Sequence, residues 1–173
     1  MIRGIGWKGL AVLAILFVIL ALQLKLLVFV GMLIAVVVVS LFIQQFHLRI
    51  IGLELVTFAT VITGVAYGPF AGAIVGIILV LIHLVLSGYF GVYYVWVVPG
   101  YALAGYLASA WGGQNIVTVG LNITILLQII NLVLTFLFDR YSFFSHIVYS
   151  LTNIAFNFML FAAFGPAMLA MVG

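Results

Sequence analysis

Residues 67–76, YGPFAGAIVG, join two long apolar runs and decide how those runs fold. Glycines recur at every fourth position through this region, at Gly64, Gly68, Gly72 and Gly76. Pro69 divides the region, because proline fits the first turn of a helix but breaks a helix interior. Small residues four apart let helix backbones approach closely within lipid. The region therefore predicts a tight helical hairpin that packs closely against its neighbours.

Composition indicates a membrane protein. Hydrophobic residues make up 69% of the 173 residues and charged residues only 4%, and the mean hydropathy is +1.55. A soluble domain of this length needs a charged exterior that so few charges cannot supply. Lipid offers the backbone no hydrogen-bond partners, so the spanning segments are expected to be helical. We expect residues 1–173 to form a single all-α transmembrane domain, multi-pass in the plasma membrane.

Seven apolar segments follow one another along the chain. They cover residues 8–24, 26–46, 52–68, 70–87, 92–111, 116–138 and 144–171. Only Gln23-Leu24-Lys25 separates the first two segments, so this part is expected to form two short spans, or one span and a helix on the membrane surface. About 20 apolar residues cross a bilayer as a helix. The segments thus predict a compact bundle of six to seven transmembrane helices with a Gly-Pro hairpin.

The same patterns exclude several functions. The chain has no cysteine, which rules out disulfides and thiolate metal sites. Its basic residues are spread along the chain, so we expect no nucleic-acid partner. No Ser/His pair, HExxH motif or DxxD-type cluster favours an enzyme, and no catalytic residue is assigned. His47 and His146 show no ligand spacing, so neither a metal site nor a cofactor is expected.

The loops fall into two unlike sets. One face of the bundle should carry the loops at residues 47–53, 87–94 and 139–146, which hold most of the charged and aromatic loop residues. The opposite face should carry Tyr67-Gly-Pro and residues 111–115, which contain no charge. Nearly all recognition chemistry is therefore expected on one face.

Polar side chains in the last two segments recur at helical spacing. They are Gln128 and Asn131 in the sixth segment, and His146, Tyr149, Asn153 and Asn157 in the seventh. Amides inside a bilayer must face partners or a wet cavity. These two stripes predict a cavity for a small polar ligand, or else hydrogen bonds between neighbouring helices.

Aromatic and charged residues complete the predicted site. Tyr89, Tyr93, Tyr94 and Trp96 would form a wall that stacks on a planar ligand, or an interfacial aromatic belt. Glu54 needs a partner inside the membrane, and Arg49 is close enough in sequence to pair with it. Arg49 or Arg140 would offset an anionic group on the ligand. His83, among aliphatic residues, is interpreted as a hydrogen-bonded core group.

Three stretches together follow a recognisable pattern: GLELVTF from residue 52, GVAYGPFAGAIVG from residue 64 and VVPGYALAGYLA from residue 97. This pattern resembles the substrate-binding S components of energy-coupling factor (ECF) transporters. The likeness covers residues 26–171, with residues 8–24 as an extra N-terminal helix. It implies a six-helix bundle that captures a vitamin or metal ion from outside, together with a transmembrane coupling protein and ATPase subunits from other chains. The absence of a His-rich N-terminus argues against nickel and cobalt.

The resemblance also implies a contact surface for the coupling protein. The family uses small residues four apart on its first helix for this contact. The nearest matches are Gly31 with Ala35, and Ala104 with Ala108 on a later helix. The same spacing also serves ordinary helix packing.

Two membrane orientations satisfy the positive-inside rule. If all seven segments span, Arg3 and Lys8 share the cytoplasmic side with the polar loops. If residues 8–24 do not fully span, Arg3, Lys8 and Lys25 lie inside, whereas Arg49 and Arg140 lie outside, as an S component requires. The first orientation suits the alternative function, an MreD-like membrane scaffold in a cell-shape or envelope assembly, which predicts a flat contact surface instead of a cavity.

Overall fold

A computed structural model describes residues 7–88 and 91–172 of the chain. Within these residues there are six α-helices, one 3₁₀ turn and no strand. The helices are α1 (Trp7–Gln45), α2 (Val56–Tyr67), α3 (Pro69–Leu86), α4 (Tyr94–Ala110), α5 (Ile116–Phe138) and α6 (Phe143–Val172), with the 3₁₀ turn at Arg140–Ser142. Four stretches are long and apolar enough to cross a membrane: Lys25–Gln45, Pro69–Leu86, Ile116–Phe138 and Arg140–Val172. The architecture is consistent with the membrane protein predicted from composition.

The N-terminal region differs from the two segments predicted at residues 8–24 and 26–46. Helix α1 runs through Gln23-Leu24-Lys25 without a break and has 39 residues. These three residues interrupt the apolar pattern, but none of them is a glycine or proline that would end a helix. At about 1.5 Å per residue, α1 is roughly 58 Å long, about twice the hydrocarbon core of a bilayer. The expected extra helix is therefore the first half of α1.

The Gly-Pro hairpin predicted from residues 67–76 is present. Helix α2 ends at Tyr67, α3 begins at Pro69, and Gly68 joins them with a φ of 94°. A residue with a Cβ rarely adopts this φ, so glycine is needed at this position. Pro69 occupies the first position of α3, where its missing N–H leaves no helical hydrogen bond unmade.

The glycine repeat brings α2, α3 and α4 into backbone contact. We call the contact the glycine seam and define it by Gly64, Gly72, Gly76 and Gly105. A Cβ built at Gly72 would lie 2.6 Å from the carbonyl oxygen of Gly105, and one at Gly76 would lie 2.5 Å from that of Tyr101. Non-bonded carbon atoms prefer separations of about 3.5–4.0 Å, so no side chain fits there. Both Ala104 and Ala108 are buried in the same part of the bundle.

The other predicted small-residue pair lies on the outside. Gly31 of α1 is exposed, and a Cβ built there would meet no described atom within 4 Å. Ala35, one turn later, is half-buried. The pair therefore has no tight packing role comparable to that of the glycine seam within the described bundle.

The polar loops meet at one end of the bundle. Arg49, between α1 and α2, lies against Gly88 after α3, because a Cβ at Gly88 would be 2.5 Å from Nη2 of Arg49. Tyr93, before α4, faces His146 at the start of α6, with ring centroids 6.1 Å apart. The loops that the sequence grouped on one face thus lie together, and we call this the polar-loop end.

Candidate functional site

A cavity of about 210 Å³ lies at the polar-loop end, between α3, α4, α5 and α6. Its lining includes these residues predicted from the sequence: Arg49, Tyr93, Trp96, Gln128, Asn131, His146 and Tyr149. It also includes His83 and Tyr101, together with aliphatic side chains such as Leu84 and Leu127. Residues far apart in sequence are therefore brought together around one space.

The remaining predicted residues lie elsewhere. Glu54, Asn153 and Asn157 are buried behind the lining and are hydrogen-bonded to one another. Tyr94 packs edge-on against Tyr93, with ring centroids 5.6 Å apart. Arg140 is exposed outside the lining, where its Nε donates to the carbonyl of Phe136 at 3.3 Å and its guanidinium covers the Phe136 ring. Tyr89 lies outside the described residues.

Glu54 is a buried carboxylate surrounded by donors. Only 1% of its surface is exposed. The backbone N–H of Thr57 donates to its Oε2 at 2.9 Å, and the Thr57 hydroxyl donates to Oε1. The side-chain amides of Asn153 and Asn157 donate to the same Oε1 at 3.2 and 3.3 Å. All of these partners are donors, so both carboxyl oxygens of Glu54 act as hydrogen-bond acceptors. Thr57, Asn153 and Asn157 are therefore the hydrogen-bond partners of Glu54, the role that the sequence suggested for Arg49.

Gly52 holds the segment that carries Glu54 against α6. Its N–H donates to Oγ1 of Thr152 at 2.8 Å, and its carbonyl accepts from Nδ2 of Asn153 at 3.0 Å. A Cβ at Gly52 would lie 2.7 Å from the backbone nitrogen of Asn153 and would overlap the carbonyl of Tyr149. Any larger residue would push this segment away from α6.

The Gly52 carbonyl sets the direction of a chain of amide hydrogen bonds. A carbonyl only accepts, so Asn153 turns Nδ2 toward Gly52 and Oδ1 toward Gln128. Gln128 therefore donates from Nε2 to Asn153, at 2.8 Å, and its Oε1 accepts from the hydroxyl of Ser150 at 2.9 Å. The orientation of the Gln128 amide, which lines the cavity, is thus fixed by Asn153 and Ser150.

Tyr101 is oriented by the same network. The hydroxyl of Thr57 has one hydrogen, which it donates to Glu54. Tyr101 therefore donates its hydrogen toward this Thr57–Glu54 pair, with its hydroxyl 3.1 Å from that of Thr57. The phenol oxygen of Tyr101 has only lone pairs left for a further partner.

Two more polar groups of the lining have a defined direction. The indole N–H of Trp96 donates to Oδ1 of Asn131 at 3.1 Å, which leaves the Asn131 amide nitrogen as a donor for other groups. Nδ1 of His146 lies 2.9 Å from the carbonyl oxygen of Ser142. Since that oxygen only accepts, Nδ1 of His146 carries a hydrogen and donates it.

His83 is buried and hydrogen-bonded, as interpreted from the sequence, and it also lines the cavity. The hydroxyl of Ser40 donates to the carbonyl of Val36 at 2.6 Å, so it accepts from Nδ1 of His83 at 2.8 Å. This bond ties α1 to α3 next to the cavity.

Tyr93 provides a neutral aromatic wall. Burial, with a smaller contribution from the nearby Tyr94, raises the pKa of its phenol well above the ordinary value. Its hydroxyl therefore stays protonated throughout the physiological pH range. The Trp96 ring packs against Phe138, with centroids 5.9 Å apart and the rings tilted by 30°.

The sequence patterns did not single out Tyr101. A helical signal was present, because Val97 and Tyr101 are four residues apart, as are Trp96 and Gly100. Four residues make about one helical turn, so each pair shares a face of α4, and all four residues line the cavity. Because the residues around Tyr101 are apolar, the sequence offered no reason to distinguish this face of α4 from an ordinary buried core face.

Among the described residues, no group of three or more His, Asp, Glu or Cys side chains is placed to hold a metal ion. Comparisons of the chain with protein-family models, curated proteins and solved structures gave no match. The resemblance to S components therefore rests on the three stretches at residues 52–58, 64–76 and 97–108, and function has to be argued from the cavity.

Proposed function

We propose that this chain is a plasma-membrane subunit that binds a small polar solute for uptake, in the manner of an ECF S component. The observation that supports this most directly is the cavity at the polar-loop end. Small-molecule sites are concave and mostly apolar, with a few placed polar groups. Here aliphatic and aromatic walls surround Gln128, Asn131 and Tyr101, whose hydrogen-bonding directions are set by neighbouring groups.

The buried network supports a binding role over a purely structural one. Amides within lipid-spanning helices are costly unless they find partners. Asn153 and Asn157 find theirs in Glu54 and lie away from the cavity. Gln128 and Asn131 are also bonded, and yet both face the cavity. A polar ligand in the cavity would therefore meet the amides of Gln128 and Asn131.

The continuity of α1 favours the orientation that uptake needs. If α1 crosses the membrane once, Trp7 and the polar-loop end lie on opposite sides of it. In that arrangement Lys8 and Lys25, with Arg3 earlier in the sequence, count toward the cytoplasmic side, and Arg49 and Arg140 count toward the outside. This distribution agrees with the positive-inside rule by a small margin.

Transport also needs an energy source, for which we propose separate coupling and ATPase subunits. No nucleotide-binding motif occurs in the sequence. The outward-facing pair Gly31 and Ala35 is a surface on which a helix of a membrane partner can pack closely.

The binding role is tested by filling the cavity. Gly100 lines it, and a Cβ built there would meet only Cδ2 of Leu127, at 3.5 Å, an ordinary contact. We expect a screen of small solutes against the purified protein to find at least one that raises its melting temperature, because a ligand that binds only the folded state stabilises it. In Gly100→Leu this shift should be lost while the protein remains folded.

The matched control is Gly113→Leu, in an exposed loop where a Cβ would meet no described atom within 4 Å. It should keep the ligand-induced shift. If no solute stabilises the wild-type protein and the chain instead purifies with a cell-shape or envelope protein, the scaffold function replaces the transport function.

A further inference from the structure

We infer that the cavity takes a planar, single-ring ligand that carries one carboxylate. This inference rests on the proposed function and names the substrate class of the same site. Four features support it: the volume of the cavity, its aromatic walls, the direction of its amide groups and the charge of its lining.

The volume sets the size of the ligand. The cavity measures about 210 Å³. An apolar cavity of about 150 Å³ holds benzene, and each water in the liquid occupies about 30 Å³. The additional volume therefore accommodates a substituent of a few atoms on one ring. A fused ring system with its own side chain would exceed this volume and would have to extend out of the opening.

Aromatic side chains line the cavity from two sides. Trp96 belongs to α4, whereas His146 and Tyr149 belong to α6, and Tyr93 lies between the loop and α4. Aromatic rings pack favourably with other planar rings in stacked or edge-to-face arrangements. Such walls favour a flat ligand over a puckered one of equal size.

The amides of the lining offer hydrogen-bond donors. Asn131 uses its oxygen for the indole of Trp96, so its nitrogen is what remains for a ligand. Gln128 uses one hydrogen of Nε2 for Asn153, and the same nitrogen carries a second. Two amide nitrogens in one small cavity match a ligand group with several acceptor lone pairs, which a carboxylate has.

The charge of the lining favours a single negative charge. Arg49 is the only Lys or Arg among the described lining residues, and no Asp or Glu side chain lines the cavity. Its guanidinium lies against Gly88, whose φ of 68° brings the loop close to it. Arg49 is exposed at the mouth of the cavity, and one guanidinium matches one carboxylate in paired, bidentate geometry.

The test measures four probes of similar size on the purified wild-type protein by isothermal titration calorimetry. Benzoate has the ring and the carboxylate, benzamide lacks the charge, benzylamine reverses it, and cyclohexanecarboxylate keeps the charge but is not planar. Hydrogen bonds to charged groups are the stronger ones, so we expect benzoate to bind about tenfold or more tightly than benzamide. Benzylamine should bind least, and cyclohexanecarboxylate should bind more weakly than benzoate.

Two variants assign the charge preference to Arg49. Arg49→Gln should remove the difference between benzoate and benzamide, and Arg49→Lys should keep part of it. Arg140→Gln removes a cation at the same end of the bundle but outside the lining, so the preference should persist. A melting curve for each variant shows that it is folded.

The inference is overturned if benzoate binds no better than benzamide, or if Arg49→Gln keeps the preference. If a solute of another class binds and Gly100→Leu abolishes that binding, only the substrate class is wrong and the proposed function stands. If no solute of any class binds the wild-type protein, both are rejected.

Discussion

At the residue scale, one backbone carbonyl controls polar groups that lie some distance from it. The carbonyl of Gly52 orients Asn153, and Asn153 in turn orients Gln128 at the cavity wall. Glu54 acts in parallel, because the hydrogen that it takes from Thr57 forces Tyr101 to donate. Buried groups outside the cavity lining thus set the orientation of the side chains Gln128 and Tyr101, which face the cavity.

Replacing Glu54 by glutamine should destabilise the protein. In Glu54→Gln, an amide N–H₂ group replaces one acceptor oxygen and faces groups that are themselves donors. An unsatisfied buried donor costs about 1–3 kcal/mol, so the free energy of unfolding should fall by that amount. The free energy of unfolding is measured in mild detergent, by thermal melting or by denaturant titration.

The matched control is Asp139→Asn, the same acid-to-amide change at the other acidic residue of the chain. Asp139 is half-buried at the end of α5, and its substitution should change stability by less than about 0.5 kcal/mol. Equal effects of the two substitutions would contradict the structural importance assigned to the donors around Glu54.

The sequence predicted which polar residues share a helix face. It did not predict which of them face the cavity and which face Glu54. The spacing of Gln128 with Asn131, and of Tyr149 with Asn153, follows from the helical repeat. Whether an amide faces the cavity or the carboxylate depends on the rotation of α5 and α6 and on where the segment at Gly52 docks. That docking is a contact across about 100 residues of chain, and no local pattern encodes it.

At the element scale, the hairpin was predictable and the first helix was not. A glycine followed by a proline has strong local preferences that neighbouring structure rarely overrides. The triplet Gln23-Leu24-Lys25 has none, since each of its residues is a good helix former. Polarity alone suggested a boundary there, and α1 continues through it.

Filling the glycine seam should disrupt the bundle. Gly72→Leu would place a side chain where the backbone of Gly105 lies, and overpacking of this kind costs about 1–3 kcal/mol or more. The melting temperature should fall strongly, or the folded protein should not accumulate in the membrane. Gly31→Leu is the control in another helix, where the open surface should tolerate the side chain with little loss. A well-folded Gly72→Leu would show that α3 and α4 are not in backbone contact.

At the scale of the whole molecule, function depends on which side of the membrane the cavity opens. The polar-loop end gathers Arg49, Tyr93 and His146, and uptake requires this end to be outside. The chain has no cysteine, so single cysteines can report the side on which they lie.

We predict that Tyr141→Cys is labelled by a membrane-impermeant maleimide in intact cells. Tyr141 is 99% exposed at the polar-loop end. Gln114→Cys, exposed in the loop at the opposite end, should be labelled only after the cells are opened. The reverse pattern would place the cavity in the cytoplasm, which would remove the basis for uptake and favour the scaffold.

The glycine seam also determines which walls of the cavity can separate. The backbones of α2, α3 and α4 touch in the seam, so a shift of one of these helices is resisted by close contact with the other two. His83, Trp96 and Tyr101 belong to these three helices, whereas Gln128 and Tyr149 belong to α5 and α6. The hydrogen bonds between Glu54 and α6 span the boundary between the two groups. Separating these walls would have to break both the hydrogen bonds from Glu54 to α6 and the bond from Trp96 of α4 to Asn131 of α5.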